Sequence, residues 1–230
     1  MSISDPYSNY DYFMVSSRLD SDLGNGFSLV VEPYLRYDQS HMIAFWNTKT
    51  TPEDTTKVST LGLKTSLTKQ LEKVELTVGL DTESTKFSYK ELQSRPTVVG
   101  PVWSPGEMPE GTHYDYDVNY LTLSPYAKAT VFISEKLRAD VGLRADYSVY
   151  DYTNKTKDGD CDSTSTTDGK CGIYLRGPNR KDTFSNLGPK IGMSYQLNNS
   201  SSVYWNLGQN FKVPNATLLY NLTTSDQSPD

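Results

Sequence analysis

Residues 137–149 alternate without a break. Leu137, Ala139, Val141, Leu143, Ala145, Tyr147 and Val149 occupy one parity, and Arg138, Asp140, Gly142, Arg144, Asp146 and Ser148 the other. A helix would scatter these residues around its circumference, whereas a strand separates them onto two faces. The pattern recurs in segments 10–19, 27–38, 60–68, 74–83, 119–133, 187–197 and 203–211, which makes eight predicted strands. In 74–83, for example, Val74, Leu76, Val78 and Leu80 oppose Glu75, Thr77, Gly79, Asp81 and Glu83.

The connections alternate as regularly as the residues. Asp20–Gly26, Lys69–Lys73, Ser134–Lys136 and Asn198–Ser201 are short, while Gln39–Thr56, Glu91–Thr112 and Thr153–Asp182 are long. An up-and-down meander has this order when one end carries tight turns and the other elaborated loops, which is the habit of outer-membrane barrels. Segments such as Asp117–Ile133 also exceed the ~5–6 residues of an ordinary soluble strand.

Composition constrains the environment. The chain has 230 residues, 22 Lys+Arg and 28 Asp+Glu, for a net charge of −6, so it lacks the basic face of a nucleic-acid binder. Mean hydropathy is −0.58. No segment approaches the ~18 apolar residues of a transmembrane helix. A low mean does not oppose a membrane barrel, in which only one face of each strand is apolar. The charged parity carries Arg36, Lys64, Glu75, Asp81, Lys128, Arg138, Asp140, Arg144, Asp146 and Lys190. An Arg or Lys facing lipid at the midplane costs ~2–4 kcal/mol, so this parity is expected to face a wet lumen or a polar plug. Alternation alone also fits a soluble β-sandwich with the apolar parity inside, and eight strands can close as a small barrel of their own. Pro33, Pro125 and Pro189 fall inside predicted strands, which calls for bulges or positions outside the regular ladder.

Candidate sites are few. No nucleophile–base constellation, phosphate-binding glycine loop or cofactor motif occurs, so no enzyme is expected. His41 and His113, the only histidines, are expected as solvated loop residues. Cys161 and Cys171 flank a Ser/Thr/Asp/Gly loop with no nearby His. They read as one local disulfide rather than a zinc site, with two free thiols as the alternative. Asp158, Asp160 and Asp162 form a D-x-D-x-D run without the Gly and Glu of an EF-hand, and read as a solvated acidic loop. Trp46, Trp103, Tyr114, Tyr116, Tyr150, Tyr152 and Tyr174 lie in or beside the long loops. Two readings stand for them: an aromatic girdle at the membrane interface, the preferred one, or a stacking wall for a large ligand. In the second reading Trp46, Trp103, Tyr114, Tyr116, Tyr174 and Arg176 are the binding candidates.

The ordered series of strands resembles the β-barrel of TonB-dependent outer-membrane receptors. The resemblance is most specific in Phe184-Ser-Asn-Leu-Gly-Pro-Lys-Ile-Gly-Met-Ser-Tyr-Gln-Leu197, then Ser202-Val-Tyr-Trp-Asn-Leu-Gly-Gln-Asn-Phe-Lys-Val-Pro214 and Leu218-Leu-Tyr220. These look like the family's F-x-x-x-x-P-K-x-G-x-x-Y strand and its F-R-x-P…L-Y continuation, carried here by Pro189, Gly192, Tyr195, Phe211 and Pro214. Lys212 stands where the family favours Arg, and Asn215 replaces the usual small residue or Thr. The stretch Leu137–Tyr147 resembles the family's L-x-x-x-x-G-x-R-x-D-Y strand.

The resemblance implies an all-β, antiparallel up-and-down transmembrane barrel in the outer membrane of a Gram-negative cell. It implies import of a scarce ligand, most often a ferric siderophore, energised by TonB through a plug domain. A family barrel has about 22 strands. Eight strands, no plug, no signal peptide and no closing C-terminal strand read as an internal part of such a barrel.

Overall fold

In the computed structural model, residues 7–43, 52–94, 97–98, 107–108, 111–156, 170–171 and 174–223 are described. The strands in chain order are β1 (Tyr7–Ser16), β2 (Leu19–Gly24), β3 (Phe27–Ile43), β4 (Glu53–Gln70), β5 (Val74–Gln93), β6 (Thr97–Val98), β7 (Glu107–Met108), β8 (Gly111–Phe132), β9 (Leu137–Asn154), β10 (Lys170–Cys171), β11 (Tyr174–Leu175), β12 (Arg180–Asn198), β13 (Ser201–Gly208) and β14 (Leu222–Thr223). One short helix, α1 (Ala216–Tyr220), departs from the all-β expectation.

The long strands form a single antiparallel sheet in the order β1-β3-β4-β5-β8-β9-β12-β13, with β2 continuing β1 along β3. The sheet does not close on itself and forms a partial barrel, so the small closed barrel is not what these strands make. Among the described residues no second sheet covers the apolar parity, as a sandwich requires; the two other sheets, β10-β11-β14 and β6-β7, are built of two-residue strands. Val78, Val141, Leu187 and Leu197 are instead more than half exposed on the convex face.

The expected strands are present and most are longer than the alternation indicated; the one expected over 203–211 ends at Gly208, and β2 takes up most of the connection expected over Asp20–Gly26. β8 has 22 residues, β5 has 20 and β12 has 19. Growth is mostly at the long-loop end. There the outward parity turns from apolar to polar, through Gln39 and His41, Lys57 and Ser59, Ser84 and Lys86, Asn119 and Asp117, and Asp151 and Thr153. The apolar band thus ends partway up the wall, and the strands continue beyond it. The short and long connections alternate as expected. The Asn25-Gly26 turn between β2 and β3 takes positive φ at both residues (53° and 73°), the twist-compatible hairpin geometry.

Each proline sits where one ladder is interrupted, without a bulge. Pro33 lies opposite the break between β1 and β2, where the Ser17 N–H donates to its carbonyl at 3.1 Å. Pro125 pairs with Leu80 on β5, but the ladder to β9 skips Ser124 and Pro125. Pro189 lies just past the last β13 pair, Lys190↔Gly208. A residue without an N–H fits only where no partner carbonyl awaits it.

Candidate functional site

The concave face divides into two levels. The lower level, behind the apolar band, is charged. Arg144 Nη1 meets Asp81 Oδ2 at 2.7 Å across β8, while its Nε meets Asp146 Oδ1 at 2.8 Å. The intervening residue on β8, opposite Asp81, is Ser124, small enough to lie beneath the guanidinium. Asp140 gathers Lys128 (3.3 Å), Arg138 (3.5 Å) and the Thr130 hydroxyl (2.7 Å). Tyrosine rings lie flat over cross-strand glycines here. A Cβ at Gly62 would come within 2.1 Å of the Tyr34 ring, and one at Gly79 within 2.3 Å of the Tyr126 ring. With the rings pressed to the wall, a cavity of about 700 Å³ stays open over Arg18, Glu32, Lys64, Asp81, Arg138 and Arg144. Arg138, Asp140, Arg144 and Asp146 therefore share one inward face, divided between two ion-pair groups, one centred on Asp140 and one on Arg144.

The upper level, beyond the apolar band, is aromatic. Phe87 and Tyr89 on β5, Tyr114, Tyr116 and Val118 on β8, and Tyr150 and Tyr152 on β9 form a buried cluster with Tyr174, Ala216 and Tyr220. Tyr116 is fully buried, with ring centroids at 5.5 Å from Tyr89, 5.2 Å from Tyr152 and 5.9 Å from Tyr220. The chain after β13 folds back into this bowl. Asn215 caps α1, accepting from the Thr217 N–H at 3.2 Å. Tyr220 stacks on Tyr152 at 4.4 Å and donates to Asp182 Oδ2 at 2.8 Å. The Tyr116 hydroxyl donates to Asn221 Oδ1 at 2.7 Å, and the Tyr114 hydroxyl to the Leu222 carbonyl. β14 pairs with β11 beside them.

His113 corrects the expectation of a solvated loop residue. The β5–β8 ladder slips between Glu91 and Leu92, and the extra residue on β8 is His113. Such an irregularity re-aims a side chain, and here His113 and Tyr114 are both buried. His113 Nδ1 lies 2.9 Å from Glu91 Oε1, and the ring stacks on Tyr174 at 3.8 Å. Arg176 holds the same place through the backbone, its guanidinium donating to the carbonyls of His113 (3.2 Å) and Thr112 (3.1 Å). Tyr89 links the two carboxylates of this cluster, at 2.9 Å from Glu91 Oε2 and 3.1 Å from Asp54 Oδ1. His41 is likewise on a strand, between Tyr7 and Glu53.

Burial, reinforced by the neighbouring Glu91 charge, pushes the Asp54 carboxyl up to about 6. A carboxyl raised above its unfolded value of 3.8 binds its proton more tightly in the folded state. The associated stability is complete below pH ~4 and is lost as pH rises through about 6. Asp54→Asn is therefore expected to stabilise the protein at pH 7 by about 1–2 kcal/mol, after discounting for solvent screening, and to flatten the pH 4–7 profile of chemical denaturation. A variant less stable than wild type at pH 7 would contradict this.

The sequence candidates thus divide. Tyr114, Tyr116, Tyr174 and Arg176 come together, as do Tyr150 and Tyr152. Tyr114, Tyr116, Tyr150 and Tyr152 form no outward girdle, because their parity is the concave one, and Tyr174 is buried in the same cluster. Trp46, Trp103 and Cys161 lie outside the described residues, as does the acidic run at 158–162, and of Cys171 only the backbone is described. In the motif strand, Gly192 is buried on the concave parity, while Pro189 and Tyr195 are exposed on the convex one. Phe211 and Pro214 were expected at a strand end. They follow β13 in the returning segment, since pairing ends at Gly208. Phe87, Tyr89, Asp54, Glu91 and Tyr220 were missed. A signal existed for some of them: the charged parity Arg138…Ser148 continues as Tyr150 and Tyr152, and Glu75…Glu83 as Phe87 and Tyr89. Among the described residues no group of three or more His, Cys, Asp or Glu is placed to hold a metal ion.

The sequence matches the family described as "TonB dependent receptor-like, beta-barrel" over residues 2–230. The chain belongs to this family. No curated protein matches it. Among solved structures, it is similar to the ferric-catecholate import receptor Fiu of E. coli K12 in its open form, with TM-score 0.61 and 14% identity over 89% of this chain and 36% of that one. It is similar to the siderophore receptor PiuA of Acinetobacter baumannii, with TM-score 0.61 and 11% identity over 87% and 32%. The copper transporter OprC gives TM-score 0.61 and 13% identity over 86% and 30%. At these identities the likeness is one of fold. The chain spans about a third of the length of these receptors.

Proposed function

We propose that this chain is an internal part of the barrel wall of an outer-membrane receptor that imports a scarce ligand, with a ferric siderophore as the ligand class. The observation that carries the reading is the change of the concave face at the edge of the apolar band, from a charged trough to an aromatic bowl. The trough offers ion-pairing groups to a polar plug, the element through which TonB would act. The bowl lies on the outer side, below the long connections, where a ligand arrives first. The sheet edges on β1 and β13, unpaired among the described residues, support a larger wall of which these strands are one sector. The similar receptors named for ferric-catecholate and siderophore uptake favour iron over copper as cargo.

In this reading Tyr114, Tyr116, Tyr174 and Arg176 hold the bowl and the base of the connection that precedes Tyr174. Trp46 and Trp103, in the sequences of the other long connections, are the further stacking candidates. The test is titration of the outer-membrane protein with a ferric catecholate, a ferric hydroxamate and a copper(II) salt, followed by fluorescence. A ferric chelate is expected to bind. Tyr174→Ala, which removes the ring packed on His113, is expected to weaken binding about 3–10-fold, the scale of one aromatic contact. Binding of copper alone would overturn the ligand class.

A further inference from the structure

In the upper level of the concave face two carboxylates stand directly opposite each other. Asp54 on β4 is the ladder partner of Glu91 on β5. Like charges directly opposed on neighbouring strands repel. Among the described residues Asp54 has no ion-pair partner, and Tyr89 is the group that meets it.

A count of hydrogens fixes the charge of this pair. The Tyr89 oxygen lies 2.9 Å from Glu91 Oε2 and 3.1 Å from Asp54 Oδ1, yet a phenol carries a single hydrogen. Both contacts are hydrogen bonds only when one carboxyl is protonated. Glu91 has two donors, Tyr89 and the His113 Nδ1–H at 2.9 Å, and is the carboxylate. Asp54, with Tyr89 alone, is the acid. The Asp54 O–H then donates to Tyr89, the Tyr89 O–H to Glu91, and the His113 N–H to Glu91.

This chain of donors ends where the neighbouring segments are seated. His113 is the slipped residue of β8, the slip falls at Glu91, and the His113 ring carries Tyr174 of β11 at 3.8 Å. Arg176 grips the Thr112 and His113 carbonyls. Tyr114 donates to the Leu222 carbonyl of β14, which pairs with β11. The other titratable or charged groups around the carboxylates are Tyr114 and Tyr116 on β8, Tyr174 on β11 and Arg176 beyond it. His41 and Glu53 pair with each other on the opposite face of the wall.

We propose that Asp54, Tyr89, Glu91 and His113 form a proton-operated latch on the bowl. With the proton on Asp54 the donor chain is complete, and β11 and β14 stay docked on His113 and Tyr114. Once the proton leaves, two opposed carboxylates compete for one phenol hydrogen. Glu91 is then pushed from its place beside His113, and the docked strands loosen. The latch regulates the binding site proposed above and rests on that reading for its purpose, although docking itself involves no ligand. Burial and the Glu91 charge hold the Asp54 carboxyl at about 6 instead of 3.8, so docking should weaken about tenfold between pH 5 and pH 7.5.

The test is amide hydrogen exchange of the intact outer-membrane protein from pH 5 to pH 8, corrected for the intrinsic pH dependence of exchange and read by mass spectrometry over residues 174–180 and 219–223. Wild-type protection should fall about tenfold from pH 5 to pH 7.5. Asp54→Asn and Glu91→Gln each offer an amide N–H to the Tyr89 oxygen without a titrating proton. Both should keep their pH 5 protection up to pH 8. His41→Gln, on the opposite face, should reproduce the wild-type profile. A flat wild-type profile would overturn the proposal, as would a slope that survives both Asp54→Asn and Glu91→Gln or one that disappears in His41→Gln. Titration of the same protein with a ferric hydroxamate at pH 7.5 tests the ligand class separately. A sloping profile without binding leaves the latch standing and removes the siderophore. Binding with a flat profile removes the latch alone.

Discussion

Tyr116→Ala should lower the free energy of unfolding by about 3–5 kcal/mol, the range for deleting a large buried ring. Tyr116 is fully buried and touches both the wall and the segment folded back onto it. Removing its ring leaves a void between Phe87, Tyr89, Tyr152 and Tyr220, and leaves the Asn221 side chain without its donor. Tyr116→Phe keeps the ring and loses one hydrogen bond, so it should cost only about 1 kcal/mol. Denaturant titration of the folded protein gives both values. Limited proteolysis supplies an independent readout, because α1 is held chiefly through Tyr220 and Ala216 and should become cleavable in the Ala variant but not in the Phe variant. Equal costs for the two substitutions would show that the bowl is not packed around this ring.

Leu143→Arg should cost ~2–4 kcal/mol in a bilayer, whereas Thr153→Arg, on the same parity but beyond the apolar band, should cost ~0–1 kcal/mol. Leu143 is 46% exposed, flanked by Pro189 and Ala127 on the neighbouring strands. If water covered the convex face, an arginine there would change stability by no more than about 0.5 kcal/mol. Refolding into phosphatidylcholine vesicles followed by denaturant titration distinguishes the two cases. A neutral Leu143→Arg would remove the membrane from the account of this sheet.

Much of the wall can be read from the sequence because alternation is a local property. The charged parity Arg138, Asp140, Arg144 and Asp146 and the apolar parity Val141, Leu143 and Leu187 face opposite sides, as their spacing requires. The tight Asn25-Gly26 turn is readable for the same reason, since positive φ at two successive residues selects for these residue types. The upper ends of the strands were harder. Phe87, Tyr89, Tyr150 and Tyr152 continue the inward parity, but their neighbours on the outward parity are polar there. The contrast that marks a lipid-facing strand therefore reverses, and the pattern resembles a loop.

His113 shows a different limit. Nothing within a few residues of it distinguishes a solvated histidine from a buried one. Its burial follows from a slip of one residue against Glu91 and Leu92, which exists only once β5 and β8 are paired. The bowl has the same character. The hydrogen bond from Tyr116 to Asn221 joins residues 105 positions apart, and the one from Tyr114 to Leu222 joins residues 108 apart. Strand identity, the faces and the order of short and long connections were determined by the sequence alone, because each depends on neighbours along the chain. The height at which the concave face turns aromatic, the aim of His113 and the return of α1 into the bowl were decided by the tertiary structure, because each depends on register between strands and on which distant side chains fill the same space.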